Sequence, residues 1–125
     1  MRVLVVDDSS AIRCYLRKIL TFQGFEVLEA KNGAEGLERL HTCPAVDLVL
    51  LDWNMPCMNG LELLKAMRAE SELKKTCVVM VTTETETTEI ATALEAGANE
   101  YIMKPFTPDV IADKLQLLGF PVAFA

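Results

Sequence analysis

The sequence predicts a doubly wound α/β domain built on a five-stranded parallel sheet, and three observations carry that reading. Short aliphatic runs alternate with helical stretches along the chain. Each run is continuous rather than alternating apolar with polar, the pattern of strands covered by helices on both faces. Hydrophobic residues make up 51% of the 125 residues but aromatics only 6%, so the apolar mass is aliphatic. A chain of this length makes one compact domain, long enough to bury a substantial core but too short for two domains.

The elements follow in order. Val3-Leu4-Val5-Val6 is a short, β-branched first strand that stops at Asp7. Ser9 and Ser10 can cap a helix in which Ile12, Tyr15, Leu16, Ile19 and Leu20 recur at helical spacing, with Gly24 beyond its end. A second strand covers Phe25 to Glu29, followed by an Asn32-Gly33 turn and a short helix carrying Ala34, Leu37 and Leu40. Leu48 to Leu51 is the third strand and ends at Asp52. A loop with Pro56 and Gly60 leads from it to a helix bearing Leu61, Leu64 and Met67. Cys77 to Val81 is the fourth strand, closed by Thr82, and its helix carries Ile90, Ala93 and Leu94 before Gly97. The fifth strand is Tyr101-Ile102-Met103. Lys104 and Pro105 follow, and a last helix presents Ile111, Leu115 and Leu118. Residues 1–118 fit this scheme as one domain; residues 119–125 form a short apolar tail without helical periodicity.

Charge and patterning exclude several functions. Eighteen acidic against twelve basic residues give a formal charge of -6, which repels nucleic-acid backbones and anionic lipid surfaces. No apolar run approaches the roughly 18 residues of a membrane span, and Met1 to Val6 leaves no room for a secretion signal, so the expected location is the cytoplasm. Cys14, Cys43, Cys57 and Cys77 lack zinc-site spacing and read as idle thiols in a reducing compartment. Arg13, Arg17 and Lys18 read as a solvated helix face, and His41 as a solvated side chain.

In an open parallel sheet all strands end on the same edge, where ligands bind. Asp7, Asp8, Asp52, Thr82 and Lys104 all fall at such ends and should converge. Singly, each is an ordinary capping or loop residue; together they make a site. Two carboxylates about 4 Å apart repel by roughly 4 kcal/mol at an effective dielectric of about 20, so a counter-ion is expected. An all-oxygen donor set with room for water suits magnesium. Lys104 adds a fixed positive charge and Thr82 a hydroxyl, so a phosphoryl group could be held beside a carboxylate nucleophile. Asp52, standing alone between strand and loop, is the natural acceptor; Asp7 and Asp8 are better placed to hold the metal.

Four blocks now identify a resemblance: Val5-Val6-Asp7-Asp8 with Ser10 and Arg13, Leu51 to Pro56 with Gly60, Val81-Thr82, and Lys104-Pro105-Phe106. Over about residues 1 to 118 the chain resembles the receiver domains of two-component response regulators. Asp52-Trp53-Asn54-Met55-Pro56 and Asn59 to Lys65 are similar to the chemotaxis members. The resemblance implies a flavodoxin-like fold with strand order 2-1-3-4-5, an order taken from those regulators and not from these residues. It implies phosphorylation of Asp52 by a histidine kinase, with magnesium bound by Asp8, Asp52 and the Asn54 carbonyl and with Asp7 helping through water. It further implies phosphoryl binding by Lys104, a conformational switch made of Thr82 and Tyr101, and a cis Lys104-Pro105 bond. Asn54, Thr83 and Glu84 fall where such regulators tune dephosphorylation, and Asn54 and Glu84 match short-lived ones. Asn59 stands where many relatives have aspartate.

On this reading the protein is a phosphoacceptor rather than an enzyme. With no output domain after residue 125, a partner such as a flagellar motor switch would read the signal on the fourth helix, fifth strand and fifth helix. A receiver cut from a larger regulator or phosphorelay is the nearest alternative. An aspartyl-nucleophile phosphatase would usually need an acid where Asn54 stands, and a flavin carrier would be repelled by Asp7-Asp8.

Overall fold

The computed structural model describes residues 1–43, 45–83 and 87–123, with the backbone alone at 87 and 88. Among these residues five strands and five helices alternate: β1 (Arg2–Val6), α1 (Ser10–Phe22), β2 (Glu26–Ala30), α2 (Gly33–Thr42), β3 (Leu48–Asp52), α3 (Gly60–Ala69), β4 (Cys77–Thr83), α4 (Thr87–Glu95), β5 (Glu100–Lys104) and α5 (Pro108–Leu117). The strands form one parallel sheet in the order β2-β1-β3-β4-β5. The expected doubly wound, flavodoxin-like topology is the one observed.

Strand ends depart from the apolar runs in a consistent way. β2 begins and ends one residue later than its pattern indicates, while β3, β4 and β5 run on into Asp52, Thr83 and Lys104. Apolar runs mark where both sheet faces are covered, but ladder pairing continues beyond them: Asp52 pairs with Val81, and Thr83 with Lys104. The polar side chains at the sheet's edge are therefore carried by strands, which hold them more firmly than loops would.

Helix starts have local causes. Ser9, not Ser10, caps α1 by accepting the Ile12 amide at 3.2 Å. Asn32-Gly33 is not a free turn: Asn32 caps α2 by accepting from the Glu35 amide at 2.8 Å. Asn59 and Glu62 form a reciprocal capping box at α3, and Thr107 with Pro108 starts α5.

Two cores flank the sheet. On one side Leu16, Ile19 and Leu20 of α1 and Ile111 and Leu115 of α5 pack on Val3, Val5, Leu50, Val81 and Ile102. On the other, Leu40, Leu63, Leu64, Met67 and Ala93 from α2, α3 and α4 pack on Leu4, Val6, Val49, Leu51 and Met80. Two residues expected to face inward do not: Leu94 and Tyr15 are exposed, and the Tyr15 ring stacks on Phe106 with centroids 5.7 Å apart. Residues 119–123 lie against the first core, with Phe120 beside Phe25. The Gln23 amide fastens them by donating to the Ala123 carbonyl at 2.8 Å and accepting its amide at 2.6 Å.

The turn from β3 into α3 is closed by the Gly60 amide, which donates to the Trp53 carbonyl at 2.9 Å. A β-carbon on Gly60 would overlap the Asp52 carbonyl oxygen and lie 3.1 Å from Met80 Cε. Backbone cannot yield as a flexible side chain does. Gly60→Ala is predicted to lower stability by about 2–3 kcal/mol in urea unfolding, with Asp52 displaced.

Candidate functional site

The strand order reverses between β1 and β3, because the chain proceeds outward from β1 in opposite directions. That reversal opens a crevice at the C-terminal edge of the sheet. Asp7 and Asp8 follow β1 and Asp52 ends β3, so all three acids enter it. One carboxylate oxygen from each lies within 4.8 Å of the others; Asp7 and Asp52 are buried and Asp8 is exposed. Lys104, at the end of β5, reaches across with its ammonium 3.1 Å from Asp7 Oδ2 and 3.2 Å from Asp52 Oδ1. The other Asp7 oxygen, Oδ1, accepts the Ser9 amide at 2.8 Å. The Lys104-Pro105 bond is cis.

One ammonium does not offset three acids. Burial, reinforced by the neighbouring Asp7 charge and opposed by Lys104, pushes the Asp52 carboxyl from 3.8 up to about 6. Burial by itself would lower the Lys104 ammonium, but the Asp52 and Asp7 carboxylates outweigh it and hold the group above its ordinary value. The crevice is thus short of positive charge in a way that favours a proton or a cation at Asp52.

Thr82 and Tyr101 belong to the other sheet face. Strand alternation puts them in line with Met80, and Tyr101 packs on that core. Thr82 is 1% exposed, and its hydroxyl has no hydrogen-bond partner among the described residues. An unpaired buried hydroxyl costs about 1–3 kcal/mol, which makes it a site for an incoming acceptor. Tyr101 is half-buried, with the Lys114 ammonium 5.0 Å from its ring centre. Asn54 is exposed in the loop after Asp52. Thr83 lines a cavity of about 350 Å³ with Ile12, Tyr15, Lys104, Pro105 and Phe106. Glu84 lies outside the described residues. The structure therefore gathers Asp7, Asp8, Asp52 and Lys104 directly, sets Thr82 on the opposite face at the same edge, and places Tyr101 on that opposite face further down β5, level with Met80.

Arg13 differs from its sequence reading, and Arg17, exposed as read, is nonetheless paired. Arg13 is not part of a solvated face: its side chain is 18% exposed, donates to the Asp7 carbonyl at 2.6 Å and pairs with Glu29 at 3.1 Å. Arg17 pairs with the second Glu29 oxygen at 2.6 Å. The signal was present in part, as two arginines at i, i+4 spacing on the helix that precedes a strand carrying two acids, Glu26 and Glu29. His41 is exposed as expected but meets the Glu70 carboxylate at 2.9 Å. Cys57 is an exposed free thiol in the loop after Asp52, with a positive φ of 68°.

This arrangement, an acid trio and a lysine at the switch point of an order 2-1-3-4-5 sheet, belongs to a defined class. Residues 3–116 match the response regulator receiver domain, and the chain belongs to that family. Within it the resemblance is to CheY. The chain is 46% identical to chemotaxis protein CheY1 of Helicobacter pylori, over 94% of this chain and 96% of that protein. It is 49% identical to the chemotaxis protein CheY homolog of Campylobacter jejuni, over 93% and 90%. The high-resolution structure of the chemotaxis response regulator CheY4 of Vibrio cholerae superposes with a TM-score of 0.87 at 37% identity, covering 94% of this chain and 97% of that one. This is a CheY-like receiver domain, a signalling regulator rather than a classical enzyme, and the match displaces the phosphatase and flavin-carrier readings. Among the described residues, no helix is long and apolar enough to cross a membrane.

The raised Asp52 pKa has a signed consequence. The folded chain holds that proton more tightly than the unfolded chain, so the resulting stability is complete below about pH 4 and is lost as pH rises through about 6. With a chelator present, Asp52→Asn is predicted to match the wild type near pH 4 and to exceed it by about 1–2 kcal/mol near pH 8, read from urea midpoints.

Proposed function

We propose that the protein is a phosphoryl-accepting switch of a chemotaxis two-component system, with Asp52 as acceptor. The carrying observation is the placement of the Asp52 carboxylate beside both the acid pair and the Lys104 ammonium. In the transfer, an Asp52 oxygen forms a bond to phosphorus as the bond from phosphorus to a histidine nitrogen of the kinase breaks, and the freed nitrogen takes up a proton. Lys104 meets the transferred oxygens, and its hold on Asp7 and Asp52 aims it before the phosphoryl group arrives.

A divalent cation fits the donor set. Three clustered carboxylates and a strongly raised Asp52 pKa call for more positive charge than Lys104 brings. Magnesium suits these oxygen ligands, with Asp8, Asp52 and the Asn54 carbonyl holding it and Asp7 assisting through water. When bound it supplies charge neutralisation for the phosphoryl oxygens.

Phosphorylation replaces the Asp52 carboxylate charge with a phosphoryl group carrying about -1.5 to -2 charge and three acceptor oxygens. The unpaired Thr82 hydroxyl then gains an acceptor and turns toward it, leaving space that Tyr101 enters. The surface of α4, β5 and α5 changes shape, and a partner such as a flagellar motor switch reads it. The chemotaxis names of the relatives support that partner, together with a histidine kinase as donor. Asn54, Thr83 and Glu84 adjust how quickly water removes the phosphoryl group. Residues 1–118 form the signalling unit and 119–125 its apolar tail, and the protein works in the cytoplasm.

Exposure to a small phosphodonor with magnesium is predicted to add one phosphoryl group to the intact mass of the wild type and none to Asp52→Asn. Phosphate uptake by that variant would remove the assignment. Thr82→Ala is predicted to accept the group while its Tyr101 ring resonances no longer respond.

A further inference from the structure

Asp7 is held at every polar atom. Its amide donates to the Ala30 carbonyl at 3.1 Å, and its two carboxylate oxygens meet the Ser9 amide and Lys104. The remaining group is its carbonyl, which accepts from Arg13 Nη1 at 2.6 Å. That carbonyl belongs to the planar peptide joining Asp7 to Asp8, so fixing it fixes the direction in which Asp8 leaves the chain. Arg13 is itself oriented from the far side. Its Nε donates to Glu29 Oε1 at 3.1 Å, while the other oxygen of Glu29 is engaged by Arg17, which also donates to the Val27 carbonyl at 3.2 Å. The guanidinium fork is thus clamped between β2 and the loop that carries the acids, and a lysine could not serve both partners at once.

We propose that Arg13 is a positioning residue of the acidic site, which aims the Asp8 carboxylate at the cation by clamping the Asp7-Asp8 peptide. The assignment rests on the cation reading above. It makes a prediction opposite in sign to simple electrostatics. Removing a positive charge near three acids should by Coulomb's law tighten binding of a divalent cation. Removing the clamp should loosen it, because a ligand left without its outer support loses affinity, typically by 10-fold or more.

The test is a magnesium titration of the full chain, followed by the fluorescence of Trp53, which neighbours Asp52. Arg17→Gln is the matched control: it loses the same charge and the same Glu29 partner but touches nothing on Asp7. Arg13→Gln is expected to bind magnesium about 10-fold more weakly, Arg13→Lys to be weakened at constant charge, and Arg17→Gln to bind as tightly as the wild type or more so. The metal-free protein gives an independent readout, a displaced Asp8 backbone amide resonance in both Arg13 variants and an unmoved one in Arg17→Gln. Unchanged or tighter magnesium binding by both Arg13 variants would overturn the proposal, as would equal weakening in Arg17→Gln. If Arg13→Gln does not fold, Arg13→Lys alone decides. Should the wild type bind no magnesium while the Asp8 resonance still moves only in the Arg13 variants, the cation reading falls and the clamp on the peptide stands.

Discussion

The gathering of Asp7, Asp8 and Asp52 at one sheet edge, with Asp7 and Asp52 buried, is the constraint around which this molecule is organised. The sheet brings the three acids together by reversing its strand order between β1 and β3. Lys104 crosses from β5 to meet two of them, yet Asp52 still sits well above an ordinary carboxylate. A fold that spent stability on this crowding without use would be under pressure to relax it, for example by letting Asp52 turn outward. Instead Gly60 brings the start of α3 hard against the Asp52 backbone, and the β3 ladder runs through Asp52 itself. Unfavourable charge is held by favourable packing, an arrangement that leaves the site ready for positive charge.

Much of this was legible in the residues because a parallel sheet converts order along the chain into position in space. Once Val3–Val6, Leu48–Leu51 and the fourth and fifth runs are read as parallel strands, their terminal polar residues must share an edge. The exact strand ends were not legible, since the hydrogen-bond ladder does not stop where apolar residues stop; Thr83 and Lys104 are paired although neither is apolar. Leu94 and Tyr15 were misplaced because helical spacing assigns a face without saying how wide a stripe the neighbours cover. Arg13, present in the family block, gave no sign of its contact with the acid loop for a different reason. Its partner is a main-chain carbonyl, and nothing in residue identity shows which carbonyl a helix will bring within reach. That the Thr82 hydroxyl has no partner among the described residues is equally invisible in a sequence, because it depends on what the fold places around it.

The two cores give the site its rigidity from both sides. α1 and α5 back the face that carries Asp52 and Lys104, while α2, α3 and α4 back the face that carries Thr82 and Tyr101. The tail adds to the first side, with Phe120 against Phe25 and Gln23 gripping the Ala123 backbone. Each of those hydrogen bonds contributes only about 0.5–1.5 kcal/mol, but both draw the segment after α5 onto the C-terminal end of α1.

Alternation along β4 carries a consequence for how such a chain can vary. Thr82 and Thr83 are chemically the same residue in consecutive positions, one sealed beneath the sheet and one open to the cavity beside Lys104. A single-residue insertion or deletion upstream in the strand would barely alter its composition or hydropathy, yet it would turn each threonine to the opposite face of the sheet. The length of β4 is therefore as much a part of the message as its letters.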